Sequence, residues 1–130
     1  MGVADPAFPS SEAFDMIDSA LNASEEDRKE AIKRGGAIFA FTLKNAEGKQ
    51  ESWYLDLKKE GKVGKGASPP GEKATVTLVL TDADFGKLVK GTAKAQTLFM
   101  GGKLKIKGDM MKATRLEPIL GQARQQGAKL

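Results

Sequence analysis

Residues 37–44 alternate: Ala37, Phe39, Phe41 and Leu43 fall on one side, and Ile38, Ala40, Thr42 and Lys44 on the other. A period of two predicts a β-strand. A turn at 45–49 leads to a second alternating run, with Trp53, Leu55 and Leu57 opposite Tyr54, Asp56 and Lys58, so the pair predicts a hairpin. Residues 74–81 repeat the pattern, with Val76, Leu78 and Leu80 inward and Thr75, Thr77 and Thr81 outward. A last short run at 103–107 puts Leu104 and Ile106 on one face and three lysines on the other. The Gly-, Pro- and Lys-rich segment 59–73 predicts a loop with a short strand around Val63.

Elsewhere the apolar spacing is helical. Phe14, Ile17 and Leu21 make one stripe behind Ser10–Ser11, which are predicted to cap it. Ser24-Glu25-Glu26-Asp27 resembles a capping box with Asp for Glu, and opens a charged helix that Gly35–Gly36 ends. Thr81-Asp82-Ala83-Asp84 predicts a cap for a helix bearing Phe85, Leu88 and Val89, which ends at Gly91. Thr92 is predicted to cap a helix over 93–100, closed by Gly101–Gly102. Met110, Met111, Ala113, Leu116, Ile119 and Leu120 mark a final helical region that Pro118 splits in two. Helices and hairpins without βα alternation indicate α+β with a largely antiparallel sheet. Residues 1–9 are expected to be a loose leader, 10–126 a single domain, and 127–130 a separate tail.

Composition narrows the class. A chain of 130 residues fits one domain, and at that size roughly two-thirds of the unfolded surface can be buried without a disulfide or metal staple. Cysteine is absent, which fits a reducing compartment. No apolar run approaches the ~20 residues of a membrane span. The start, Met1-Gly2-Val3-Ala4-Asp5-Pro6, lacks the pattern of a secretory signal, and Pro6 stands where a myristoylation site needs Ser or Thr. The net charge of +4 arises from 21 basic and 17 acidic residues, mixed along the chain. That balance suits anionic membranes or CoA phosphates without demanding nucleic acid.

The absences limit the chemistry further. With no His and no Cys, the commonest general base, the thiolate nucleophile and the usual zinc or haem ligands are missing. No nucleophile elbow, P-loop or dinucleotide fingerprint is present, so neither an enzyme nor a cofactor or metal is expected. The carboxylates Glu25, Glu26, Asp82 and Asp84 sit at predicted helix starts, where they offset the helix dipole. Lys103, Lys105 and Lys107 form a cationic stripe that fits a solvated face or an anionic lipid surface. The aromatic residues fall mostly at core-facing positions rather than among the lysines, so no nucleic-acid partner is expected.

Two features carry a positive signal. The last third is rich in flexible apolar side chains: Leu98, Phe99, Met100, Leu104, Ile106, Met110, Met111, Leu116, Ile119 and Leu120. The series fits an ordinary core first, and as a sharper reading the wall of a cavity completed by Phe85 and Leu88. In such a wall Gln96 would be a polar group able to orient a carboxyl or hydroxyl. The chain also ends Ala128-Lys129-Leu130, a small-basic-Leu tripeptide that reads as a variant of the Ser-Lys-Leu peroxisomal address. It follows a polar stretch, Arg124-Gln125-Gln126-Gly127, suited to a receptor groove.

Four segments, 37–41, 51–58, 82–85 and 96–108, give the chain a resemblance to the sterol carrier protein 2 (SCP2) family, the non-specific lipid-transfer proteins. The run Gln96-Thr97-Leu98-Phe99-Met100-Gly101-Gly102-Lys103-Leu104-Lys105-Ile106-Lys107-Gly108 is the most specific of them, and the likeness is greatest to the stand-alone fungal form. The resemblance implies a five-stranded sheet covered by about five helices around an apolar lipid tunnel. It also implies non-selective binding of fatty acids, fatty acyl-CoA, sterols or phospholipids, and residence in the peroxisome matrix. Carried over by position, Gln96 is the glutamine near the ligand, and Phe85, Leu98, Phe99, Met100, Leu104 and Ile106 are the wall. Met110, Met111, Ile119 and Leu120 close the mouth, and Arg28 is the candidate for the head group. The expected partners are these lipids, transiently an anionic membrane, and a peroxisomal import receptor for Ala128, Lys129 and Leu130; a monomer is expected. The alternatives are an accessory protein that presents acyl-CoA to β-oxidation enzymes, and an acyl-CoA thioesterase.

Overall fold

The structure is a computed structural model that describes residues 5–66, 68, 71–113 and 115. Leu116, Ile119, Leu120, the break expected at Pro118 and the tail Ala128-Lys129-Leu130 lie outside the described residues. After a 3-10 turn at Pro9–Ser11 come α1 (Glu12–Ala23), α2 (Glu25–Gly35), β1 (Ile38–Lys44), β2 (Gln50–Asp56), β3 (Lys62–Lys65) and β4 (Val76–Thr81). There follow α3 (Asp82–Lys90), α4 (Ala95–Met100), β5 (Lys105–Gly108) and α5 (Met110–Ala113). The strands form one sheet in the order β3-β2-β1-β4-β5. All neighbours are antiparallel except β1 and β4, which run parallel. The fold is therefore α+β with a mostly antiparallel, open sheet.

The hairpin register pairs Phe41 with Trp53 and Phe39 with Leu55, so one face presents a continuous apolar surface. Its turn is set by Asn45, whose Oδ1 accepts the backbone N–H groups of Glu47 and Lys49 at 3.0 and 2.9 Å. The helical stripe of Phe14, Ile17 and Leu21 closes over that face. Phe14 lies stacked between Trp53 and Phe85, with centroids 5.2 and 4.8 Å away, and meets Phe41 edge-on at 5.4 Å. β1 is the central strand, and its first half is buried on both faces, since Ile38 and Ala40 are as enclosed as Phe39.

Two of the expected caps are made and two are not. Ser24 accepts from the Asp27 N–H at 2.9 Å, and Thr81 from the Asp84 N–H at 3.1 Å. Ser11 instead reaches backwards, accepting from the Asp5 N–H at 2.8 Å, while Asp82 accepts the Ser10 N–H at 3.0 Å. Thr92 donates to the Lys87 carbonyl and so finishes α3 rather than starting α4, which begins two residues later than expected, at Ala95. Gly36 ends α2 at φ 60°, a left-handed position open to glycine.

The loose leader is corrected over its described part. Phe8 is 1% exposed and packs edge-on against Trp53 at 5.5 Å. Asn45 donates to the Ala7 carbonyl at 3.1 Å, and Lys65 meets the Asp5 carboxylate at 3.3 Å. The Ala7 N–H and then Lys65 hold the Asp5 carboxyl below its ordinary pKa. A single buried aromatic ring, which has no periodic neighbours in sequence, fastens this segment to the sheet.

Candidate functional site

Beside β4 the sheet ends in the short edge strand β5, with Leu78 and Ile106 as register partners on one face. α4 and α5 flank that edge. Gly108 makes the turn from β5 to α5 at φ 102°, and a Cβ there would lie 2.3 Å from the Thr75 carbonyl oxygen, so only glycine lets the chain pass. The Thr75 carbonyl also accepts the Asp109 N–H at 3.1 Å, and Asp109 Oδ1 accepts the Met111 and Lys112 N–H groups, which starts α5. Beyond α5, Arg115 donates to the Gly35 carbonyl at 3.4 Å, tying this region to the end of α2.

These elements enclose a pocket of about 460 Å³ lined by Leu78, Ala95, Gln96, Phe99, Ile106, Met110 and Ala113. Six of the seven are apolar. The seventh, Gln96, is exposed, whereas Leu78 is fully buried and Ala113 nearly so. Polarity is therefore graded from an amide at the opening to hydrocarbon at the base. An amide both donates and accepts, so it can meet a carboxylate or a hydroxyl without a charge of its own. The grading matches that of an amphiphile, polar at one end and apolar at the other.

Of the residues expected to bind ligand, the structure brings Gln96, Phe99, Ile106 and Met110 together around this space. Phe85, Leu88, Leu98 and Leu104 belong instead to the main core, each at most 5% exposed. The reason is angular: consecutive helical residues diverge by about 100°, so Leu98 points into the core while Phe99 faces the pocket. Met100 and Met111 are not in its wall; they are 77% and 80% exposed on the outside. Arg28 is also away from it, with its guanidinium 3.6 Å from Glu25 and its methylenes beside Gly61. Leu78, Ala95 and Ala113 are the other described residues of the wall, although the sequence marks them only as strand and helix positions.

An α+β domain with an amphiphile-sized apolar pocket at one edge of its sheet is the class that fold and site define. Residues 17–121 match the model of the SCP-2 sterol transfer family, and the chain belongs to that family. It is 51% identical over 118 residues to a protein of Yarrowia lipolytica named fatty acid-binding protein, covering 89% of this chain and 92% of that one. The oleate-induced peroxisomal protein POX18 of Candida maltosa is 46% identical over 121 residues, 92% of each chain. Among solved structures, sterol carrier protein 2 from Yarrowia lipolytica in its apo form superimposes with a TM-score of 0.89 at 48% identity. That match covers 95% of this chain and 98% of the other.

Proposed function

We propose that the protein is a lipid carrier that takes the apolar chain of a fatty acid or fatty acyl-CoA into the pocket between β4, β5, α4 and α5, and does no covalent chemistry on it. The observation that carries this reading is the graded wall, in which, among the described residues, the Gln96 amide is the polar side chain and the others are hydrocarbon. About ten buried methylenes correspond to about 8 kcal/mol, the scale of a micromolar Kd before the costs of association. Gln96 then orients the head group rather than supplying most of the affinity, so acids, thioesters, sterols and phospholipids are all expected to compete for the site. The family and the name of the Yarrowia relative support a lipid ligand. The lack of His and Cys supports carriage over catalysis. Ala128-Lys129-Leu130 and the name of the Candida maltosa relative support delivery to the peroxisome through its import receptor.

The test is titration of delipidated protein with a fluorescent fatty acid, followed by displacement with unlabelled acid, acyl-CoA and a sterol. Saturable binding near one per chain is expected. Ala95→Trp fills the pocket from its half-buried wall position. It is expected to lower affinity at least about tenfold while the melting temperature stays within a few degrees. Binding undiminished by Ala95→Trp would remove the pocket as the lipid site.

A further inference from the structure

The chain has no cysteine, so an oxidant meets no thiol, and the thioethers are its most readily oxidised side chains. Trp53 is fully buried and Tyr54 nearly so. Of the five methionines, Met1 lies outside the described residues and Met16 is partly buried against the core. The other three belong to α4 and α5, the helices that flank the pocket. Met100 and Met111 are 77% and 80% exposed and stand outside it, whereas Met110 is 44% exposed and lines it.

The backbone holds Met110 at that position. The Thr75 carbonyl accepts the Asp109 N–H, and Asp109 Oδ1 accepts the Met111 and Lys112 N–H groups. Met110 thereby opens α5 against the wall formed with Leu78, Phe99 and Ile106. Met111 lies about 100° further round the helix and faces outward. Met110 thus combines two properties that Met100 and Met111 do not share. Its side chain is reachable from solvent, and it borders the space that takes the lipid chain.

We propose that Met110 is an oxidative modification site, at which hydrogen peroxide converts the thioether to the sulfoxide and so makes the pocket release its lipid. A lone pair on Met110 Sδ attacks one peroxide oxygen, and the O–O bond breaks. The sulfur is oxidised and the peroxide reduced. The second oxygen takes the proton of the transferred one and leaves as water. The sulfoxide is polar and sits beside Leu78, Phe99 and Ile106, where a bound chain would separate its oxygen from water. In the empty pocket that oxygen stays hydrated, so the cost falls on the lipid-bound state. The inference rests on the carrier reading, since it needs a lipid chain against this wall. A bound chain also covers Met110 and slows its oxidation, so the empty carrier is the form that is modified.

The experiment exposes the delipidated full chain to hydrogen peroxide, with and without saturating fatty acid. Tandem mass spectrometry of its peptides locates each added oxygen, and the fluorescent fatty-acid titration is then repeated. Oxidation should raise the Kd at least about tenfold, the scale of one polar group left unpaired, while the melting temperature stays within a few degrees. Saturating fatty acid should slow oxidation of Met110 at least about threefold and leave Met100 and Met111 unaffected, because susceptibility follows exposure. Met110→Leu conserves volume, and its own Kd should change by less than about twofold on peroxide treatment. Met100→Leu/Met111→Leu should bind as the parent does before treatment and still lose affinity after it. Met110 converted to the sulfoxide with the Kd unchanged would overturn the proposal. So would an equal loss of affinity in Met110→Leu, or oxidation of Met110 at the same rate with and without a fatty acid that binds. Absence of fatty-acid binding by the untreated chain would remove the carrier reading and this proposal with it, whereas each of the other failures leaves the carrier reading standing.

Discussion

Leu98 and Phe99 are neighbours in sequence with different work to do. Leu98 is 5% exposed and packs in the core, whereas Phe99 is 43% exposed at the pocket. Truncating Leu98 removes core packing and leaves a cavity, at a cost typically of about 2–5 kcal/mol. We therefore expect Leu98→Ala to lower the urea midpoint clearly and to leave the fatty-acid affinity of the remaining folded protein within about threefold. A large loss of affinity at unchanged stability would put Leu98 in the ligand wall after all. The same division explains how far the site could be read from residues. That Gln96, Phe99, Ile106 and Met110 line the pocket follows a signal in the sequence, a polar group among apolar neighbours within a run of adaptable side chains. Ala95 and Ala113 carry no such signal, since an alanine at a helix position looks alike whether it borders a core or a void.

At the scale of elements, strands were legible where alternation was strict. The run of Ala37, Phe39, Phe41 and Leu43 predicts β1 within a residue, and the weakest signal, around Val63, is β3 at Lys62–Lys65. Caps were legible only when the side chain had no competing partner. Ser24 and Thr81 bond their own helices, while Ser11 and Thr92 are drawn to Asp5 and the Lys87 carbonyl. The β5–α5 turn depends on one residue. Gly108→Ala would place a Cβ 2.3 Å from the Thr75 carbonyl oxygen at φ 102°. Positive-φ strain costs roughly 1–3 kcal/mol, and the steric clash adds to it. Gly108→Ala should therefore lower the melting temperature and speed amide exchange in β5 and α5 more than in β1 and β2. Uniform exchange across the sheet would show that this turn does not hold the edge strand.

Over the whole molecule, the order β3-β2-β1-β4-β5 puts β3 at one edge of the sheet and the pocket at the other, with the β1–β2 hairpin between β3 and β4. The stacked ring cluster of Phe14, Trp53 and Phe85 lies in the main core, so the pocket edge can vary without dismantling it. The segment before α1 is part of that core through Phe8. Phe8→Ala is expected to destabilise by about 3–5 kcal/mol, the usual range for a buried Phe, measured by denaturant unfolding. A change below about 1 kcal/mol would return the segment to the status of a loose leader.

The sequence by itself determined the elements, the α+β class and the family likeness, because periods of two and 3.6 and helix-capping patterns are local and survive without knowing what packs where. It also marked the last third as the place where apolar, adaptable side chains accumulate. Only the tertiary structure decided which of these side chains fill the core, which face a void and which stand outside. Burial depends on the neighbour across the sheet or beside the helix, and that neighbour is distant in sequence: Leu78 meets Ile106, Phe8 meets Trp53, and the Gly35 carbonyl meets Arg115. Met100 and Met111 are the clearest case, since the composition that suggests a lipid-binding wall is the same one that makes an exposed rim.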